Sequence, residues 1–246
     1  MCLIVFAWRP EHPLPLLLAG NRDEFHARPS LPLGEWPETP GLLAGRDLQA
    51  GGTWLGIDAA GRFAALTNIR DPGQAEGARS RGELVSGYLQ GKLSPADYLR
   101  QIQHEQYSGF NLLLGDRQQL YHFNSHEGEP RRLPAGVYGL SNASLNTPWP
   151  KLQRTREALR QCLDRPEPDA LLALLADRAR AADEELPQTG VTLEVERLLS
   201  SAFIVSPGYG TRASTALVLQ ADGGWQIIER SFGPDGEPVG EVRIRC

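Results

Sequence analysis

Residues Leu3–Trp8 read Leu-Ile-Val-Phe-Ala-Trp with no polar interruption, and Leu16–Ala19 repeats the pattern after the spacer Arg9-Pro-Glu-His-Pro13. Two short apolar runs around a turn-rich spacer predict a hairpin. Strands that are apolar at every position belong inside a protein, covered on both faces. The rest of the chain has to supply those covers. Trp54–Ile57 and Arg62–Thr67 flank Asp58-Ala-Ala-Gly61, a second hairpin signature. Further strands are expected at Phe110–Leu114, Gln119–Phe123, Val137–Leu140, Ala202–Ser206, Ser214–Gln220, Trp225–Arg230 and Val242–Arg245.

Four helices are predicted between these strands. Ser80 caps Arg81–Gln90, which Gly91 closes, and Ser94-Pro95 opens a second helix carrying Tyr98, Leu99 and Ile102. Pro150–Leu163 and Asp169–Glu184 complete the set, the latter with Leu171, Leu172, Leu174 and Leu175 on its apolar face. Strands and helices fall in separate blocks, so the fold class is α+β with largely antiparallel sheets. A four-layer αββα sandwich is compatible with that pattern. No repeat or linker divides the 246 residues, and residues 1–246 read as a single domain.

A net charge of −5 gives no electrostatic case for nucleic acid or an anionic membrane surface. The run after Met1 lacks a basic flank, and Leu14–Gly20 is far too short to span a bilayer. The three cysteines, Cys2, Cys162 and Cys246, show neither metal spacing nor a disulfide framework. A cytoplasmic protein in a reducing compartment is expected.

Common chemical motifs are missing. Gly208-Tyr-Gly-Thr-Arg-Ala213 matches a dinucleotide pattern, with Glu229 near the spacing of a ribose-binding acid. That fingerprint must open a helix, whereas Ser214–Leu219 is β-branched and alternating; a tight turn presenting Arg212 is the better reading. The five histidines have no ligand spacing, and no serine-nucleophile elbow occurs.

Polar residues at strand ends remain: Asn21-Arg-Asp-Glu24, Thr67-Asn68, Ser141-Asn142 and Thr211-Arg212. Each alone reads as a turn cap. Together with a cysteine at position two, they supply the parts of an acyl-transfer site: nucleophile, orienting carboxylate, amide donors for an oxyanion, and a cation. Removal of Met1 would leave Cys2 with both a thiol and a free α-amine. An amine titrating at about 7.7–8.0 serves as base for a thiol titrating at about 8.5. A nearby cation, Arg22 or Arg212, would raise the thiolate fraction.

The ordered blocks Asn21-Arg-Asp-Glu-Phe25, Gly51-Gly-Thr-Trp-Leu-Gly56, Ala64-Ala-Leu-Thr-Asn68, Tyr138-Gly-Leu-Ser-Asn142, Thr147-Pro-Trp149 and Pro207-Gly-Tyr-Gly-Thr-Arg212 resemble the NRDE family, also called the transport and Golgi organisation 2 family. That family is similar to the cysteine branch of the N-terminal-nucleophile hydrolases, which includes penicillin V acylase and bile salt hydrolase. The resemblance implies an αββα fold with Cys2 as nucleophile, Asp23 holding it, Asn68 and Asn142 in the oxyanion region, and Arg212 as cationic support. Asn21, Arg22 and Trp54 are assigned to substrate binding. In those acylases an arginine stands three residues before the aspartate; here that place is Gly20. The expected activity is hydrolysis of a C–N bond in a small acyl-type substrate, with no cofactor required. The resemblance also implies a second class of function, a non-enzymatic carrier of haem or acyl-lipid on the same scaffold.

Overall fold

The computed structural model describes residues 2–164 and 166–246. Two antiparallel sheets form its middle. One runs in the order β10 (Gly136–Leu140), β1 (Cys2–Trp8), β2 (Leu16–Phe25), β11 (Tyr209–Leu219), β12 (Trp225–Phe232), β13 (Pro238–Arg245). The other runs in chain order: β3 (Ser30–Glu35), β4 (Leu42–Asp47), β5 (Leu55–Asp58), β6 (Phe63–Asn68), β7 (Phe110–Gly115), β8 (Leu120–Asn124) and β9 (Arg131–Arg132).

The period-two alternation of a strand sorts the first apolar run between two cores. Ile4, Phe6 and Trp8 enter the core between the sheets, where they meet Phe63, Ala65 and Leu113. Leu3, Val5 and Ala7 point the other way, onto Leu152 and Leu159 of α3 (Pro150–Gln161) and Leu171 and Leu172 of α4 (Pro168–Ala173). The second sheet is covered likewise, with Ala64, Leu66, Leu112 and Leu114 against Leu84, Val85, Tyr88 and Leu89 of α1 (Gly82–Gln90) and Leu99 of α2 (Pro95–Arg100). The layers therefore run helix, sheet, sheet, helix. This is the αββα sandwich, and it explains why β1 has no polar position: both its faces are interior. Among the described residues, no helix is long and apolar enough to cross a membrane.

Several predicted elements differ. α1 begins at Gly82 with Arg81 in the cap position and no side-chain cap, so Ser80 does not cap it. Ser94 does cap α2, its side chain accepting from the amide of Asp97. The helix predicted over Asp169–Glu184 is only the six-residue α4. Just past its end, the amide Nδ2 of Asn21 on β2 donates to the carbonyls of Leu175 at 3.0 Å and Ala202 at 2.8 Å, so the Leu175 carbonyl is bonded across the layers rather than within a continuing helix. Ala202–Ser206 is not a strand. Ile204 instead exchanges bonds with Thr211, its amide donating to Oγ1 at 2.9 Å and its carbonyl accepting the Thr211 amide at 2.9 Å. β3, β4 and α5 (Leu193–Leu199) were not anticipated. Pro32 hides β3 from pattern reading, yet a proline is tolerated there because β3 is an edge strand with a register shift between Leu31 and Gly34.

Asn21 is fully buried, and its Oδ1 also accepts from Ser214 Oγ at 2.6 Å. Asn21→Ala strands two carbonyls and a hydroxyl, so urea unfolding should show a loss of about 2–4 kcal/mol with an unchanged m-value.

Candidate active site

Cys2 opens β1 and pairs in register with Arg22 of β2. It continues the row of Ile4, Phe6 and Trp8, so its side chain belongs to the space between the sheets. There it is 5% exposed and lines a cleft of about 810 Å³. Arg22 lines the same cleft, as do Asp23, Asn68, Trp54, Arg212 and Glu229.

Asp23 is the next residue along β2, and alternation places it in the row of Leu17 and Ala19, toward α3 and α4. It is 1% exposed. Its Oδ1 accepts from Thr211 Oγ1 at 2.7 Å, and its carbonyl accepts from the Tyr209 hydroxyl at 3.0 Å. Both partners come from β11, which pairs with β2 over ten positions, Thr211 opposite Asp23. Gly210 beside them is required by close approach: a Cβ there would lie 2.7 Å from the Ile204 carbonyl oxygen. The main chain of Asp23 favours the thiolate of Cys2, while its carboxyl is offered on the opposite face.

The register slips between Thr211 and Ala213, leaving Arg212 in a bulge. Its Nη1 donates to the carbonyls of Phe25, His26 and Arg28 at 3.0, 3.2 and 3.1 Å. Arg212 thus clamps the turn that follows β2, and its charge meets backbone dipoles at the cleft rim.

Burial pushes the Cys2 thiol above its ordinary range, and the Asp23 carboxylate adds to that; Arg22 and the Asp23 amide pull it back. Arg22 itself lies 3.7 Å from Glu24 and 3.8 Å from Asp47, and Arg28 pairs with Asp47 at 2.7 Å. Asp23 is raised as well, by burial, against the opposing charges of Lys151 and Arg22 and the Thr211 bond. Arg81 is lowered by its own burial and sustained by Cys2 and Glu24; among the described residues it has no carboxylate in ion-pair contact.

The two asparagines meet. Asn142 Nδ2 donates to the carbonyl of Asn68 at 3.0 Å, tying the end of β6 to the chain just past β10. Ser141 Oγ bridges to the Cys2 carbonyl at 3.3 Å and to Asn142 Oδ1 at 3.2 Å, while Thr67 Oγ1 donates to the Ser141 carbonyl at 2.5 Å. Asn68 lines the cleft and Asn142 stands behind it. Asn21 does not reach the cleft, its side chain being spent on Leu175, Ala202 and Ser214. Trp54 does, and it explains Gly20: a Cβ at position 20 would lie 3.2 Å from the indole and 3.1 Å from the Leu3 carbonyl oxygen. An arginine there would require Trp54 and the Leu3 main chain to give by a few tenths of an ångström.

Sequence reasoning missed Lys151, Arg81 and the part Thr211 takes. Thr211 sat in a flagged pair from which only Arg212 was chosen. Glu229, weighed only as a ribose-binding acid, is a buried carboxyl of the cleft wall that accepts from the Leu33 amide at 2.7 Å. His122 is an interior histidine bonded to Asn111 and pushed down to about 4 by burial, hence neutral. No group of three His, Cys, Asp or Glu side chains among the described residues is placed to hold a metal.

Residues 1–234 match the family model for transport and Golgi organisation 2. The chain belongs to this family. The human transport and Golgi organization protein 2 homolog is 37% identical, the match covering 94% of this chain and 93% of the human one. The Drosophila melanogaster protein is 27% identical over 96% of this chain and 95% of its own. In fold, this member of the family is similar to the C2A mutant of conjugated bile acid hydrolase from Clostridium perfringens. The TM-score is 0.58, at 8% identity over 99% of this chain and 92% of that one. At that identity the likeness concerns the fold alone, which is that of the N-terminal-nucleophile hydrolases.

Because Arg22 holds the thiol down, Arg22→Gln should slow alkylation of Cys2 by iodoacetamide at pH 7 about three- to tenfold, the equivalent of about half to one pKa unit. The labelling rate measured across pH checks this.

Proposed function

We propose that the protein is an N-terminal-cysteine hydrolase that cleaves the C–N bond of a small acyl-type amide, with Cys2 as the nucleophile once Met1 has been removed. Met1 lies outside the described residues. One observation carries the reading: a thiol at the start of β1, nearly buried, lines a cleft of about 810 Å³ together with Arg22, Asp23 and Asn68.

The burial that raises the thiol also makes a base necessary. A free α-amine on Cys2, with an ordinary value of about 7.7–8.0, takes the proton as sulfur attacks the carbonyl carbon. Asp23 orients that ammonium, and Asn68, held by Asn142, donates to the developing oxyanion. Collapse of the adduct breaks the C–N bond, and the ammonium returns its proton to the leaving amine. Water, deprotonated by the same amine, then hydrolyses the thioester to a carboxylic acid and frees Cys2.

The cleft wall suits such a substrate. Leu31, Phe232 and Val239 offer apolar surface to an acyl group, while Arg22, Arg81 and Asn68 line the polar part. A haem carrier is less well served: among the described lining residues there is no histidine, leaving Cys2 as the axial candidate. A thiol nucleophile also suits a reducing compartment such as the cytoplasm.

The intact mass of protein purified from cells should lack Met1, and an electrophilic acyl probe should label Cys2. Cys2→Ala should abolish labelling and reduce turnover on a panel of N-acyl amides about a thousandfold or more. Active protein that retains Met1 would overturn the mechanism, since the base would then be locked in a peptide bond.

A further inference from the structure

The chain contains 23 arginines and two lysines, Lys92 and Lys151. Lys92 is exposed. Lys151 is 2% exposed, and its Nζ is buried with no hydrogen-bond partner among the described residues. Its local setting opposes a positive charge. It is the second residue of α3, at the helix end where the backbone dipole already presents positive charge. No carboxylate lies within 4 Å of it among the described residues.

The groups that face it belong to the site just described. Asp23 on β2, Cys2 on β1, Glu196 on α5 and Arg70 after β6 all act on its charge. Tyr209 of β11 belongs to the same cluster through its bond to the Asp23 carbonyl and its electrostatic contact with Arg70. Arg70 and Glu196 are occupied with each other: they pair at 2.5 Å, and the Arg70 guanidinium lies 4.7 Å over the Trp149 ring. Arg22 is shared between Glu24 and Asp47. Lys151 is thus a cation not engaged with another carboxylate among the described residues, and it stands on α3 in the layer that the Leu17, Ala19 and Asp23 row of β2 faces.

We propose that Lys151 is a positioning residue of the Cys2 site: its buried ammonium, acting through space alongside the other cations of the site, is a counter-charge that favours the ionised form of the Asp23 carboxyl behind the nucleophile. The choice of lysine fits this task. An arginine stays charged under all conditions, whereas a buried ammonium responds to its surroundings. Burial pushes Lys151 down to about 8, against the pull of Asp23. As pH rises through that value this counter-charge disappears, so its part of the field on Asp23 is present at neutral pH and fades above about pH 8.

The role rests on the reading of Asp23 as the residue that orients Cys2, but its test needs no turnover. Carboxyl-labelled aspartate, assigned by its loss in Asp23→Asn, gives the titration of Asp23 by carbon NMR. In Lys151→Met, Asp23 should titrate at least one unit higher than in the wild type, a tenfold gain in proton affinity. Coupling is reciprocal, so Lys151 in Asp23→Asn should titrate about a unit lower than in the wild type, with Lys92 as internal reference. This arm decides the matter should Lys151→Met fail to fold. Unchanged titration of Lys151 in Asp23→Asn would overturn the proposal. Coupled titrations without any amide cleavage would uphold it while defeating the hydrolase reading.

Discussion

Pairing of β1 with β2, and of β2 with β11, is the constraint from which the rest of the architecture follows. β2 lies between the other two and carries Asn21, Arg22 and Asp23 in its last turn of register. Cys2 stands opposite Arg22, and Thr211 stands opposite Asp23. A slip of one residue would send every side chain on the strand to the other face. Leu3, Val5 and Ala7 are committed to the helix layer and Ile4, Phe6 and Trp8 to the sheet layer, so both cores resist such a slip together. The packing of the hairpin and the placement of the thiol are one and the same specification.

Two faces of a sheet divide the chemistry. The thiol belongs to the cleft between the sheets, and the carboxyl beside it belongs to the layer under α3 and α4. The main chain of Asp23 joins them, favouring the Cys2 thiolate on one side while its carbonyl receives the Tyr209 hydroxyl. Charged groups stand on both sides of the sheet: Arg22, Arg81 and Glu229 line the cleft, while Lys151, Arg70 and Glu196 form the cluster on the helix side. Many of the buried polar groups on the helix side satisfy one another, the Lys151 ammonium being an exception. Asn21 binds three partners, Glu196 takes Arg70 and Thr189, and Thr211 bonds Asp23 while its backbone pairs with Ile204.

Legibility in the sequence followed the same division. Apolar runs such as Leu3–Trp8 declare themselves because both faces are interior, and Asp58-Ala-Ala-Gly61 does form a hairpin turn between β5 and β6. Family resemblance carried the αββα layering beyond what periodicity could select. Reading failed where a tertiary bond stands in place of a local one. The leucines of Asp169–Glu184 have helical spacing, but Asn21 takes the Leu175 carbonyl from 154 residues away. Strand β3 was hidden by a proline that only an edge position allows. At the site, Cys2, Asp23 and Asn68 could be singled out as polar residues abutting strands. Arg81 and Lys151 could not be placed by pattern, since a cation at a helix start looks like solvent-facing decoration until the layers are stacked. Lysine scarcity was the available signal, visible in composition and easily passed over.

The contact between Gly20 and Trp54 has an evolutionary consequence. A Cβ at position 20 would crowd the indole at 3.2 Å and the Leu3 carbonyl oxygen at 3.1 Å. A lineage gaining a side chain at 20 therefore has to shift the ring and the neighbouring strand by a few tenths of an ångström. Change at position 20 is thereby coupled to repacking around Trp54, which stands just before β5 of the other sheet.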